Sequence, residues 1–365
     1  MRLRSASHAL PAQRGVALIT ALLVIALVTA AAVAMASRQQ LDIRRTANTL
    51  QRDQAYVYAM GAEVMARAVL VKDDPQKDHK EEDWAKSGVT IPFEGGLLTG
   101  TLEDIQGRFN LNNVVKNGVA SPQDVERLKR LLLILKAKSP PDKEVWKNAE
   151  PPDLANAVLD WIDADSNVSS GGGGAEDSDY LQTERPYRAA NAPMAATSEL
   201  LLVRGFTAGI YREVAPYVTA LPEHTKINVN TAKLEVLRSL DQDASCLIIA
   251  KLGRQNETLV ADSTAASTLA EPVVFKTPDE FLLAAGCPYA GFINNRTPPP
   301  GTPAPTPAAG QENPADVLSV NSSFFQVNAY AEVGPEDHRI KVKLYSVLQR
   351  KTGKIATLSR AQGFE

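Results

Sequence analysis

The chain has 365 residues, an ordinary globular composition and a formal net charge of −3, from 39 Lys and Arg against 42 Asp and Glu. That length allows two or three domains once the first 40 or so residues are set aside. The charge balance excludes a basic field able to draw nucleic acid.

The first element is an apolar run over 16–36 that begins directly after Arg14-Gly15 and holds no charge and no proline. A bilayer core of about 30 Å needs about 20 apolar residues at 1.5 Å rise each, so the run is long enough to span one. It exceeds the apolar stretch of about 7–15 residues in a secretory signal. A third reading is a span that is trimmed just before it begins. Arg2, Arg4 and Arg14 precede the run, and Arg38, Arg44, Arg45 and Arg52 follow it. Flanking charge is therefore close to a tie on orientation, and the short leading arm favours N-in.

From Ser37 to Val71 there is no proline and one glycine, and good helix formers dominate. The first element is thus a helix of roughly 50 residues, half in lipid and half amphipathic. A loose apolar stripe runs beyond the bilayer through Leu41, Thr49, Ala55, Val57, Ala59, Val64, Ala68 and Val69. Asp73-Asp74-Pro75 ends the helix.

Next, "GGLLTGTLEDIQGRFNLNN" over 95–113 reads as a β-hairpin. At the far end, "FFQVNAYAEVG", "HRIKVKLYSVLQR" and "KIATLSRAQG" read as three strands with turns at 334–337 and 352–353. Ile340, Val342 and Leu344 alternate with Lys341 and Lys343, the pattern of a half-solvated antiparallel strand. Between these parts, 112–318 is helical. "SPQDVERLKRLLLIL", "PPDLANAVLDWIDAD", "TAKLEVLRSL" and "TPDEFLLAAG" each open with a cap, an early proline or early acids. The fold class is therefore α+β: a long N-terminal helix and an antiparallel sheet from 73–111 and 319–365, interrupted by a large all-helical insert.

Two words in the insert repeat. Phe109-Asn110-Leu111-Asn112-Asn113 is echoed by Ile227-Asn228-Val229-Asn230-Thr231, and Ser198-Glu199-Leu200-Leu201 by Asp279-Glu280-Phe281-Leu282. Either two helical units stand in tandem, or common capping chemistry recurs by chance. "SSGGGGAEDSD" reads as a flexible loop, and the Pro-rich 296–314 as a projecting loop or linker. Cys246 and Cys287 either pair, if this part of the chain lies outside the cytosol, or remain two thiols.

Catalytic motifs are missing: there is no G-x-S-x-G, P-loop or H-E-x-x-H, and His8, His79, His224 and His338 are scattered. The acidic stretch over 160–184 is the strongest chemical signal, with Asp160, Asp163, Asp165, Glu176, Asp177, Asp179 and Glu184. Carboxylates this dense repel one another unless solvated or bridged. A mobile acidic loop suits calcium, which takes six to eight oxygens, better than magnesium. Asp163-Ala164-Asp165-Ser166-Asn167 starts like an EF-hand, but Val168 stands where the turn glycine belongs and Gly174 where the bidentate Glu belongs. A calcium loop of another kind and a solvated acidic surface both remain open. Paired short helices raise a DNA reading, yet no glycines stand at the turn of "NTAKLEVLRSLDQDAS" to cradle phosphate.

Arg14-Gly15 before the apolar run, "AEVMARAVL", "FNLNN", "DWIDAD…GAEDSDY…RPYRAANAPMAATSELLLVRGF" and "INVNTAKLEVL" together resemble the type II secretion minor pseudopilin K family, over nearly the whole chain. The resemblance implies a pilin-like fold and a prepilin leader, 1–15. A prepilin peptidase is expected to cut between Gly15 and Val16 and leave Val16 as a methylated N-terminus. It also implies a single-pass inner-membrane anchor with the globular part in the periplasm. The expected role is capping of the pseudopilus tip and initiation of its assembly, for export of folded proteins across the outer membrane. Minor pseudopilins I and J are the implied partners, with secreted substrates or the outer-membrane secretin as further contacts and no nucleic acid. Most pilin-like proteins carry Glu at the fifth mature position; here it is Thr20, as befits a subunit with nothing above it. The resemblance further implies calcium in the insert, with ligands drawn from Asp163, Asp165, Glu176, Asp177, Asp179 and Asn191. The rival readings are a membrane-anchored periplasmic calcium-dependent hydrolase and a membrane-tethered DNA-binding protein.

Overall fold

The computed structural model describes residues 14–86, 88–140, 144–169, 172–240, 274–285, 317–335 and 337–363. Helix α1, Arg14–Lys72, is 59 residues long. Every residue from Val16 to Leu50 is exposed. Its 16–36 part is apolar and long enough to cross a membrane. Only its last turns meet the head, where Ala55, Ala59 and Ala62 are buried against Leu98, Ala329, Ala331, Val342 and Leu344. Leu70 packs on Trp84, Phe325 and Leu348. The apolar stripe expected from the sequence therefore divides. Ala55 and Ala59 lie on the sheet, while Leu41, Val57, Val64 and Val69 stay exposed.

The sheet has five antiparallel strands: β1 (Val89–Phe93), β2 (Gly96–Asp104), β3 (Phe324–Val333), β4 (Ile340–Lys351) and β5 (Lys354–Gly363), in the order β1-β2-β3-β4-β5. Burial alternates along β3, so Phe325, Val327, Ala329, Ala331 and Val333 face α1. The hairpin expected over 95–113 is displaced. Its first strand is β1, paired Thr90 to Thr99, and it turns at Gly95, where φ is +85°. Pro92 is tolerated because β1 is an edge strand. The chain leaves the sheet at Asp104, whose Oδ1 accepts from the amide of Gln106 at 2.8 Å and starts a 3-10 turn.

Between β2 and β3 the chain builds the helical body: α2 (Pro122–Lys138), α3 (Pro151–Ile162), the single turn α4 (Asp177–Tyr180), α5 (Ala208–Val214), α6 (Leu234–Ser239) and α7 (Pro278–Ala285). Leu128, Leu131, Leu132 and Leu135 of α2 pack against Leu154, Val158 and Trp161 of α3 in one core. Ser121 caps α2. Asn110 caps the 3-10 turn that follows it, its Oδ1 accepting from Asn112 N at 3.2 Å, whereas Asn112 and Asn230 clamp distant backbone. Asn112 Nδ2 donates to Met194 O at 2.9 Å and its Oδ1 accepts from Met194 N at 2.8 Å. Asn230 does the same with Phe275, at 3.0 and 2.9 Å. One residue beyond each clamped residue, Ala195 N donates to Glu199 and Lys276 N to Glu280. The two words thus share their bonding as well as their letters.

Insert and sheet are knotted at a buried polar junction. The Asp104 carboxylate accepts from Asn228 Nδ2 at 2.9 Å, Thr231 Oγ1 at 2.5 Å and Ser322 Oγ at 2.7 Å. Cys246, Cys287 and the Pro-rich 296–314 lie outside the described residues.

Candidate metal centre

Among the described residues, two groups of three acids are close enough to share an ion. Asp73, Asp78 and Glu82 already have a cation: Arg350 Nη2 donates to Asp78 at 2.6 and 2.5 Å, and Nη1 to Asp73 at 2.9 Å. Asp163, Asp165 and Glu176 have none, and one carboxylate oxygen from each lies within 4.8 Å of the others.

Helix α3 ends at Asp163, whose backbone N–H closes on Leu159 O at 2.9 Å. The negative end of the helix dipole thus points at the cluster and favours a cation there. Asp165 follows two residues on. Glu176 is brought back by Gly172–Gly174, which pack on α3 and do not hang loose as the glycine run suggests. A Cβ at Gly173 would lie 2.2 Å from the Asp153 Cβ, and one at Gly174 2.2 Å from Asp160 Oδ2. Only glycine permits that approach. Asn156 Nδ2 pins the turn by donating to Gly172 O at 2.7 Å.

The bonding of the cluster is incomplete. Asp163 Oδ1, both Glu176 carboxylate oxygens and Asn191 Oδ1 are buried without a hydrogen-bond partner. Buried polar atoms are nearly always paired, so these orphaned oxygens are available to a ligand. Burial, and then the charges of Asp165 and Asp160, push Asp163 up to about 6. Burial, and then Asp160, Asp163 and Asp165, push Glu176 up to about 7. Hard carboxylate oxygens plus one amide oxygen are the donor set calcium takes.

Of the six residues expected from the sequence, the structure gathers Asp163, Asp165 and Glu176, with Asn191 alongside. Asn191 Nδ2 donates to Asp165 O at 3.0 Å, and its φ of 45° holds the turn that brings it there. Asp177 and Asp179 are engaged elsewhere. Asp177 Oδ1 accepts from Ala189 N at 2.9 Å, with Arg188 3.6 Å from its other oxygen. Asp179 accepts from Arg204 at 2.7 Å and from Glu176 N at 3.2 Å. Asp160 was absent from that ligand set. It is buried in α3 behind the cluster and accepts from Ser169 N at 3.1 and 3.2 Å and from the Ser169 hydroxyl. The i, i+3 spacing of Asp160 and Asp163 was the available signal.

Ser121, Asp124 and His224 also meet, but not as a nucleophile and base. Ser121 Oγ donates to Asp124 Oδ2 at 2.8 Å and His224 Nε2 lies 3.6 Å from the same oxygen, so serine and imidazole address the carboxylate and not each other. Gly15 and Val16 lie in the first turn of α1. The Thr20 hydroxyl donates to Ala17 O at 3.0 Å within the helix.

A family model described as type II secretion system, protein K, matches residues 107–223, the stretch that holds α2, α3 and the acidic cluster. A type II secretion system protein K from Aeromonas hydrophila is 33% identical over 96% of this chain and 97% of its own. The chain belongs to the type II secretion system protein K family. Another member, from Pseudomonas aeruginosa, is 41% identical over 62% of this chain and 68% of its own length. A chain in the crystal structure of the GspK-GspI-GspJ complex from enterotoxigenic Escherichia coli superposes with a TM-score of 0.64 at 26% identity, covering 88% of this chain and 100% of that one. As a protein K, this chain is a minor pseudopilin of the type II secretion system, and its α+β fold with a long N-terminal helix is that of the neighbour.

Proposed function

We propose that this protein caps the tip of the pseudopilus and starts its assembly together with minor pseudopilins I and J. The observation that carries this reading is the helical body inserted between the adjacent strands β2 and β3. It widens the head beyond what a subunit stacked from above could cover. Thr20 supports it: a hydroxyl satisfied inside its own helix needs no partner amine, whereas a carboxylate buried there would. The chain is anchored in the inner membrane by 16–36 with its head in the periplasm. It is cut by the prepilin peptidase between Gly15 and Val16 and methylated at Val16. Its task is structural, not catalytic, and the insert is the surface offered to secreted substrates or to the outer-membrane secretin.

Calcium belongs to the same reading. Asp163, Asp165 and Glu176, with Asn191 Oδ1, would hold it. The ion supplies a divalent charge that cancels carboxylate repulsion and ties the end of α3 to the loop carrying Asn191. To test the role, Gly15→Leu should leave the uncut precursor on a blot and stop secretion. Normal processing together with normal secretion would overturn it.

A further inference from the structure

Between its apolar part and the head, α1 crosses a bare stretch, 37–50, in which every residue is exposed. That stretch carries Arg38, Arg44 and Arg45 against a single acid, Asp42. Asp42 lies 3.6 Å from Arg45 with the two side chains 72% and 79% exposed, and an ion pair so open to water is weak. At 1.5 Å per residue, Arg38 sits about 3 Å past Ala36, and Arg44 and Arg45 about 12–14 Å past it. Headgroups occupy about 5–7 Å on each side of a bilayer core. Side chains on a helix lean toward its N-terminus, which here means back toward the bilayer, and a tilt of about 20° lowers them slightly more. All three guanidinium groups can therefore reach the headgroup layer.

We propose that Arg38, Arg44 and Arg45 form a binding site for the phosphate groups of anionic phospholipids, in the leaflet that α1 leaves at Ala36. The site sets the depth at which the helix rests in lipid. The inference rests on the reading of 16–36 as a membrane span and adds a ligand to it.

Charge and position select this occupant. The arginine fork matches phosphate oxygens two at a time, and three arginines against one weakly engaged acid leave a positive collar. Arg38 and Arg45 continue in steps of seven through Arg52 to Ala59, which the sheet buries, so they lie on the side of α1 beneath the head. The rim of the head on that side is acidic. Its turn at Gly334 stands beside Gln51, where an added Cβ would lie 3.6 Å from Oε1. Gly334 N donates to Gly95 O at 2.9 Å, which brings the neighbouring turn to the same rim. Glu94 is exposed on one of these turns, and Asp337 is 76% exposed on the other. An acidic protein segment reaching the arginines from the side of the head would meet these carboxylates. A headgroup held in the membrane plane would lie about 15 Å below Gln51, more than a Debye length away.

The experiment uses the full-length chain, extracted from membranes in a neutral detergent and titrated with phosphatidylglycerol or with phosphatidylcholine. Native mass spectrometry counts the bound lipids. Phosphatidylglycerol should bind at least tenfold more tightly than phosphatidylcholine, and the preference should shrink as salt is raised. Arg38→Gln, Arg44→Gln and Arg45→Gln combined should bring the ratio close to one with the melting temperature unchanged. The triple lysine variant keeps the charge and should retain at least half of the preference. Arg52→Gln, about 24 Å past Ala36, should change nothing. Equal binding of the two lipids, a loss from Arg52→Gln as large as that from the triple change, or a lysine variant as poor as the glutamine one overturns the site. Displacement of the lipid by millimolar inorganic phosphate would assign the arginines to free phosphate and overturn it too. If the unaltered chain does not sediment with membranes, the anchor reading falls as well. If it sediments with them but shows no lipid preference, the site alone falls.

Discussion

The head of α1 and the end of α3 both bury carboxylates, but they neutralise them differently. On α1, Glu63 is only 2% exposed and accepts from Ser346 at 2.8 Å, Thr357 at 2.5 Å and Arg360 at 2.7 and 2.9 Å. Hydrogen bonding to Arg360 outweighs burial and holds its carboxyl down at about 2. At the end of α3, Glu176 is equally buried and its oxygens find no donor among the described residues. In the pilin-like half the strands supply arginines opposite these acids, Arg360 to Glu63 and Arg350 to Asp73 and Asp78. At the end of α3 the insert instead sets acid opposite acid, with Asp163, Asp165 and Glu176 grouped together.

The largest effect should come from breaking the side paired with arginines. Arg350→Met leaves Asp73 and Asp78 facing each other with no cation, and Asp78 is already pushed up to about 7 by burial. Denaturant unfolding should show a loss of about 3–5 kcal/mol, the usual consequence of removing one partner of a buried pair. A loss below 1 kcal/mol would mean that the junction does not depend on its arginine.

Next comes the side proposed to hold an ion. After stripping with EDTA, calcium at about a hundred times its Kd should add about 2.7 kcal/mol of stability, read as a raised melting temperature. Glu176→Gln should abolish the rise. The same shift in both proteins would place calcium elsewhere.

Acid separates the two regions further. The folded pKa of Glu63 lies below its ordinary 4.5, so the stability it contributes is present above 4.5 and is lost as pH falls toward about 2. The gap in unfolding free energy between the wild type and Glu63→Gln should therefore narrow over that window. A gap that stays constant down to pH 2 would show that Glu63 matters through packing alone.

The smallest effect sharpens the ligand set. Asp177→Asn should leave calcium affinity unchanged in calorimetry, because that carboxylate is engaged with Ala189 N and Arg188. A loss of affinity would bring Asp177 into the coordination.

Much of this was legible in the linear chain. The length of α1, the three C-terminal strands and the acidic nature of the α3 end follow from local periodicity and composition. Strand β1 was missed because Pro92 and Gly88 break its pattern, and the hairpin slid forward in consequence. The stripe on α1 was read as one because apolar periodicity does not say which of two opposite faces has a neighbour. Alanines took the sheet side, where a close approach was needed, and the branched residues were left facing out. The repeated asparagine words were visible as letters, but their partners, Met194 and Phe275, lie 82 and 45 residues away.

The sequence by itself determined that there would be a long apolar-to-amphipathic helix, an alternating antiparallel sheet and a crowd of acids near one helix end. These depend on 3.6- and 2-residue periods and on composition, which are local properties. Only the tertiary structure decided that Asp163, Asp165 and Glu176 meet while Asp177 and Asp179 turn away. That choice rests on Gly173 and Gly174 fitting against α3 and on Arg204 and Ala189 claiming the other carboxylates. Contacts between distant segments are set by shape and by competition for partners, and neither is written in the spacing of the residues.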